Sequence, residues 1–138
     1  MTKAATLQTY VLAFLASAAW SSALQARPDA CNAFDGAIIV TQTGDFLGSL
    51  TNSFDQKSIF NKFGRYGNQF NGDSIWNEFG SNGNPFSPNG AFNKFSKKPP
   101  LIVKDGDVIG YFSKNASLKG AVDPILLAVI CFEYEPGK

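Results

Sequence analysis

The chain has 138 residues, with 12 basic and 11 acidic side chains, no histidine, two cysteines and thirteen phenylalanines. That length fits one domain. Without histidine, Ser-His-Asp and Cys-His catalysis are excluded and the commonest proton shuttle and metal ligand is missing. Two thiols are too few for an all-cysteine zinc site, and a near-neutral charge argues against a nucleic-acid partner, which calls for a basic excess.

The N-terminus has the pattern of a secretory signal. Lys3 gives the positive start, Tyr10 to Trp20 is an apolar run, and Ser21-Ser22-Ala23-Leu24-Gln25-Ala26 supplies small residues suited to cleavage. The run is shorter than the roughly 20 residues that span a bilayer. A buried N-terminal helix is the alternative. The sequence thus divides into a signal peptide, 1–26, and a single mature domain, 27–138, with eleven basic and eleven acidic residues. The polar lead-in Arg27-Pro28-Asp29-Ala30 to Cys31 does not fit a lipoprotein. Export to the periplasm or extracellular space is expected, with no stable membrane insertion after signal cleavage. In that setting Cys31 and Cys131, near the two ends of the mature domain, are expected to form a disulfide, the alternative being two buried thiols.

A first β-hairpin is expected over 38–52. Ile38-Ile39-Val40 leads out, Thr41 to Asp45 turns, and Phe46 to Thr51 returns. A second is expected over 101–115, where Leu101-Ile102-Val103 and Val108-Ile109-Gly110-Tyr111-Phe112 flank Asp105-Gly106, a dipeptide suited to a type I′ turn. Gly44-Asp45-Phe46-Leu47-Gly48 aligns with Gly106-Asp107-Val108-Ile109-Gly110, so the two hairpins look like copies that pair with each other.

Between them, 58–96 repeats with a period of sixteen: Ser58-Ile59-Phe60-Asn61-Lys62-Phe63-Gly64, then Ser74-Ile75-Trp76-Asn77-Glu78-Phe79-Gly80, then a degenerate Gly90-Ala91-Phe92-Asn93-Lys94-Phe95-Ser96. Ser58 and Ser74 stand as N-caps of single helical turns, and Gly64 and Gly80 as their left-handed ends. Two large apolar groups would pin each turn to a core, and the Gly-Asn-x-Phe half of each unit would be loop with a buried aromatic. Short strands of a small β-solenoid are the alternative. The apolar C-terminal segment, 121–134, opens with Asp123-Pro124, a helical start. Its run from Ile125 to Phe132 fits either a buried helix or a strand, with an extended end near Cys131.

The repeat motif Ser-Ile-(Phe or Trp)-Asn-x-Phe-Gly-x-x-Gly, followed by Pro99-Pro100-Leu101-Ile102-Val103 and Gly106 to Ser113, resembles a group of small bacterial secreted or envelope proteins of unknown function. The resemblance covers residues 38–115. It implies a bacterial origin and no particular activity.

The fold class expected is α+β and β-rich, with two duplicated hairpins flanking short capped helical turns, closed by one disulfide. No cofactor, metal site or catalytic motif is expected. Asp45, Asp73, Asp105 and Asp107 are better explained by turns than by a catalytic pair, Glu78 is replaced by Lys62 and Lys94 in the sister units, and Asp105-Gly106-Asp107 is only a fragment of a calcium cage. The candidate ligand-binding residues are the aromatic–amide pairs Phe60 and Asn61, Trp76 and Asn77, Phe92 and Asn93, which suit a sugar ring; the same residues could instead be core. The leading expectation is a non-enzymatic binding module for a polysaccharide or an envelope protein. A carboxylate-dependent glycan hydrolase and a self-associating surface component are the alternatives.

Overall fold

Five strands form one mixed sheet in a computed structural model that describes residues 27–137. The expected signal segment, 1–26, lies outside the described residues. The strands are β1 (Ile38–Val40), β2 (Phe46–Ser49), β3 (Leu101–Lys104), β4 (Asp107–Phe112) and β5 (Ala121–Val122), in the order β2-β1-β3-β4-β5. Every neighbouring pair is antiparallel except β4 with β5. With one α-helix among the described residues, α1 (Pro124–Phe132), the fold is α+β and rich in β-structure. Among the described residues, no helix is long and apolar enough to cross a membrane.

The β-branched runs set the sheet centre. Ile39 of β1 lies opposite Ile102 of β3, and both are buried. Outward from that pair, Ile39 faces Gly48 and Ile102 faces Gly110. Each outer pairing then shifts register one residue on, between Ile39 and Val40 and between Ile102 and Val103. Such bulges bend and twist a strand. Asp105 and Gly106 join β3 to β4 with φ of 51° and 85°, the left-handed pair that a two-residue turn uses to match strand twist.

Helix α1 begins where Asp123 accepts hydrogen bonds at Oδ1 from the N–H groups of Ile125 (2.8 Å) and Leu126 (3.2 Å), with Pro124 in the first turn. The helix continues through Cys131 to Phe132, so the extended end expected there does not form. Leu127, Ala128 and Cys131 share a buried stripe, a spacing that a helix satisfies. Glu133, left-handed at φ 51°, stops it. Cys131 bonds to Cys31, which sits in a 3₁₀ turn over Asp29–Ala33, with 5.3 Å between their Cα atoms.

Residues 52–96 contain no helix, which corrects the expectation of capped helical turns. They form a chain of linked turns. From Ser58 the backbone N–H of Asn61 bonds to the Ser58 carbonyl, Gly64 to Asn61, Asn68 to Gly64, Asn71 to Asn68 and Ser74 to Asn71. The same steps recur from Ser74. Each corner is Asn, Ser, Asp or Gly, and its side-chain oxygen commonly accepts the N–H two residues on. Ser58 takes Phe60, Asn61 takes Phe63 and Asn71 takes Asp73. That local bond closes a turn and competes with helix continuation. Gly64 and Gly80 are not left-handed, so they end no helix. The coil cannot replace Gly67, Gly83 or Gly90, where an added Cβ would collide with the carbonyls of Asn61, of Ile75 and Asn77, and of Asn84.

The core lies between the sheet, the linked turns and α1. Ile39, Leu47, Ile102 and Phe112 enter from the sheet; Ile59, Phe60, Ile75 and Ala91 from the turns; Leu127 and Ala128 from the helix. Ser49 and Ser58 form a parallel bridge that joins the linked turns to the outer side of β2. At the far end, the Lys114 N–H donates to the Ala91 carbonyl. Among the described residues, no buried side-chain polar atom lacks a hydrogen-bond partner.

Candidate functional site

Two open clefts border the linked turns, one of about 730 Å³ and one of about 820 Å³. The first has an aromatic floor of Trp76 and Phe92, both half-buried, backed by Tyr134, which is buried. The Trp76 ring centre lies 5.8 Å from Phe92 and 5.5 Å from Tyr134. Phe63 and Phe70 stand at the margin, with Lys62, Asn68, Gln69, Glu78 and Lys114 as the polar groups. The second cleft is bordered by Phe54, Phe60, Phe63, Phe132 and Tyr134, and by Glu133 and Glu135. Lys62, Phe63 and Tyr134 border both clefts, and Tyr134 packs against Phe60 at 5.2 Å. Burial pushes its hydroxyl pKa up.

The residues expected to bind ligand are built into the fold to different depths. Phe60 is only 2 % exposed and stacks on Phe132 at 4.5 Å. Trp76 and Phe92 are partly buried, and the Trp76 indole N–H donates to the Ile59 carbonyl at 2.5 Å. The three amides serve the backbone. Asn61, Asn77 and Asn93 accept at Oδ1 from Phe63, Phe79 and Phe95. Their Nδ2 groups donate to the carbonyls of Asp55, Asn71 and Ser87. So Trp76 and Phe92 offer ring surface to a cleft, whereas Phe60 and the paired amides are occupied by packing and hydrogen bonds.

The exposed row of aromatics is a different set. Phe54, Phe63, Phe70, Phe79, Phe86 and Phe95 are 84–98 % exposed. This reverses the expectation of a buried aromatic, Phe70 or Phe86, in the Gly-Asn-x-Phe half of each unit. Each is the last residue of an Asn-x-Phe turn whose Asn accepts the Phe N–H. They fall into two series spaced by sixteen, 54-70-86 and 63-79-95. Sequence reasoning also missed Tyr134, which reaches the clefts because the chain turns left-handed at Glu133.

The carboxylates named from the sequence lie in turns or at strand ends. Asp45 begins beside β2 and Asp107 opens β4, with β1 and β3 between those strands. Thr43 and Thr41 hydrogen bonds hold Asp45 below the usual carboxylate range. The Lys57 N–H and Thr51 do the same for Asp55. A general acid needs the opposite shift. Asp73 pairs with Arg65 at 2.6 Å in solvent, and Glu78 is the one carboxylate of the first cleft. Among the described residues, no group of three or more His, Cys, Asp or Glu side chains could hold a metal ion. The sheet edges are also blunted, β2 by its bridge to Ser58 and β5 by a length of two residues. Comparison with known proteins adds no likeness to this geometry: no protein-family model, curated protein or solved structure matches the chain.

Proposed function

We propose that this is an exported, non-enzymatic binding module that holds a polysaccharide segment in the cleft floored by Trp76 and Phe92 and backed by Tyr134. The observation that carries the reading is that floor. Ring faces accept the apolar face of a sugar, and Lys62, Asn68, Gln69 and Glu78 at the margin supply donors and acceptors for its hydroxyls. Catalysis is not part of the reading, because glycoside hydrolysis uses two carboxyl groups across the scissile bond and this cleft presents Glu78 alone. The buried disulfide agrees with an oxidising compartment, and the apolar run at 10–20 with a signal peptide. We also read the β1–β2 and β3–β4 pairs as copies of one hairpin, and the sixteen-residue units as repeats between them. The resemblance of those repeats to small bacterial envelope proteins suits a cell-wall glycan.

Trp76 is the test. It is the one tryptophan among the described residues. Its emission and acrylamide quenching are recorded while soluble cell-wall glycans are added. A blue shift and protection on adding one glycan, both weakened by Tyr134→Ala, are expected. Emission that ignores every glycan would overturn the proposal.

A further inference from the structure

The turns themselves do not require phenylalanine at their tips. At 57, 73 and 89 the equivalent place, two residues past a corner, holds Lys57, Asp73 and Asn89, and each N–H is taken by its corner side chain as in the others. Six tips nevertheless carry phenylalanine, held nearly clear of the protein. At roughly 150–250 Å² for an aromatic side chain, the six display on the order of 1,000 Å² of apolar surface. None of the six makes a ring contact with another described ring, so each stands as a separate finger.

Charge says what such fingers meet. Residues 51–100 carry six basic and three acidic side chains, whereas the rest of 27–138 carries five basic and eight acidic. Lys62 precedes Phe63, Lys94 precedes Phe95, and Lys97 and Lys98 follow it. The acidic residues of the segment are Asp55, Asp73 and Glu78; Asp73 is neutralised by Arg65. A second copy of this segment would bring like charge against like. A fluid anionic surface attracts the lysines and closes around separated apolar side chains without matching pockets.

We propose that the phenylalanine tips dock the protein peripherally on an anionic lipid surface, with the tips entering the interfacial layer and Lys62, Lys94, Lys97 and Lys98 facing the headgroups. The site is separate from the glycan cleft in one testable respect: Phe79, Phe86 and Phe95 line neither cleft.

Sedimentation with vesicles tests it, using phosphatidylglycerol mixed with phosphatidylcholine against phosphatidylcholine alone. The expected result is binding to the anionic vesicles that weakens with salt and is at least tenfold poorer on the neutral ones. The triple variant F79S/F86S/F95S should lose at least tenfold on anionic vesicles while its Trp76 emission stays that of the parent, showing an intact fold. Failure to bind either vesicle would overturn the proposal, as would a triple variant that binds equally well. Sedimentation velocity that shows the parent dimeric and the triple variant monomeric would assign the face to a second copy and overturn it too. The response of Trp76 to glycans in the triple variant reports the cleft separately.

Discussion

Gly83 offers the sharpest test of how the linked turns hold together. A Cβ added there would fall inside 3.0 Å of the carbonyls of both Ile75 and Asn77, a separation that real Cβ atoms essentially never show. Both neighbours are backbone, so no side chain can swing aside. Restoring ordinary contact requires shifts on the order of 1 Å in a close-packed interior. Ile75, 0 % exposed, belongs to the core, and the Asn77 carbonyl also accepts the Gly80 N–H that closes the next turn. One methyl forced into a packed site costs about 1–3 kcal/mol; two rigid carbonyls put Gly83→Ala at the upper end, about 3 kcal/mol. At roughly 4 °C per kcal/mol for a domain of about 110 residues, the melting temperature falls by about 12 °C. Gly72→Ala is the control. It meets nothing within 4 Å and its φ is not left-handed, so the loss of unfolded-state freedom should raise stability by about 0.4–1 kcal/mol. Thermal unfolding followed by circular dichroism reads both. If Gly83→Ala melts within about 0.5 kcal/mol of the parent, the tight backbone approach does not govern the coil.

Replacing Cys31 and Cys131 together by serine should lower stability by about 4–5 kcal/mol, the chain-entropy value for a loop near 100 residues, read in urea unfolding with a steeper slope because the unfolded chain is no longer cross-linked. Asp123→Ala should cost about 1 kcal/mol through the lost helix cap, and the same urea titration measures it. Acid should weaken the fold through Asp45 and Asp55. Their carboxyl pKa values are lower in the folded chain than the ordinary 3.8. Their contribution is therefore complete above that value and lost as pH falls through the lower folded values. Asp55→Asn should flatten the stability-against-pH curve below about pH 4; a curve unchanged by the substitution would refute that assignment.

The parts of the fold that local chemistry dictates were legible. Ile38-Ile39-Val40, Leu101-Ile102-Val103 and Asp105-Gly106 are strand and turn signals that need no distant information. Asp123-Pro124 starts a helix where the structure places one. The conformation of 52–96 was harder to read, because a run of turns and a helical turn both close bonds three or four residues apart. A signal was present all the same. The corners Ser58, Asn61, Gly64, Asn68, Asn71 and Ser74 are all turn formers at steps of three or four. Inside and outside were also distinguishable. Phe60, Trp76 and Phe92 follow Ile59, Ile75 and Ala91, and turn inward with them. Phe63, Phe79 and Phe95 follow Lys62, Glu78 and Lys94, and turn out. The aromatic alone does not carry that information; the residue before it does. Tyr134 was not legible, since its position depends on how α1 ends.

The bond between Cys31 and Cys131 makes most of the domain a covalent ring. The linked turns between them expose many short loops, and loop tips are where proteases cut. A single cut anywhere inside the ring releases no fragment. It converts the ring into two strands still held at one point, close to the core that α1 and the 3₁₀ turn share with the sheet. The nicked protein would run as one band on a gel without reductant and as two with it. A cut outside the ring, before Cys31 or after Cys131, would simply shorten the chain. The ring thus keeps the aromatic cleft and the phenylalanine tips on one molecule after a first proteolytic event.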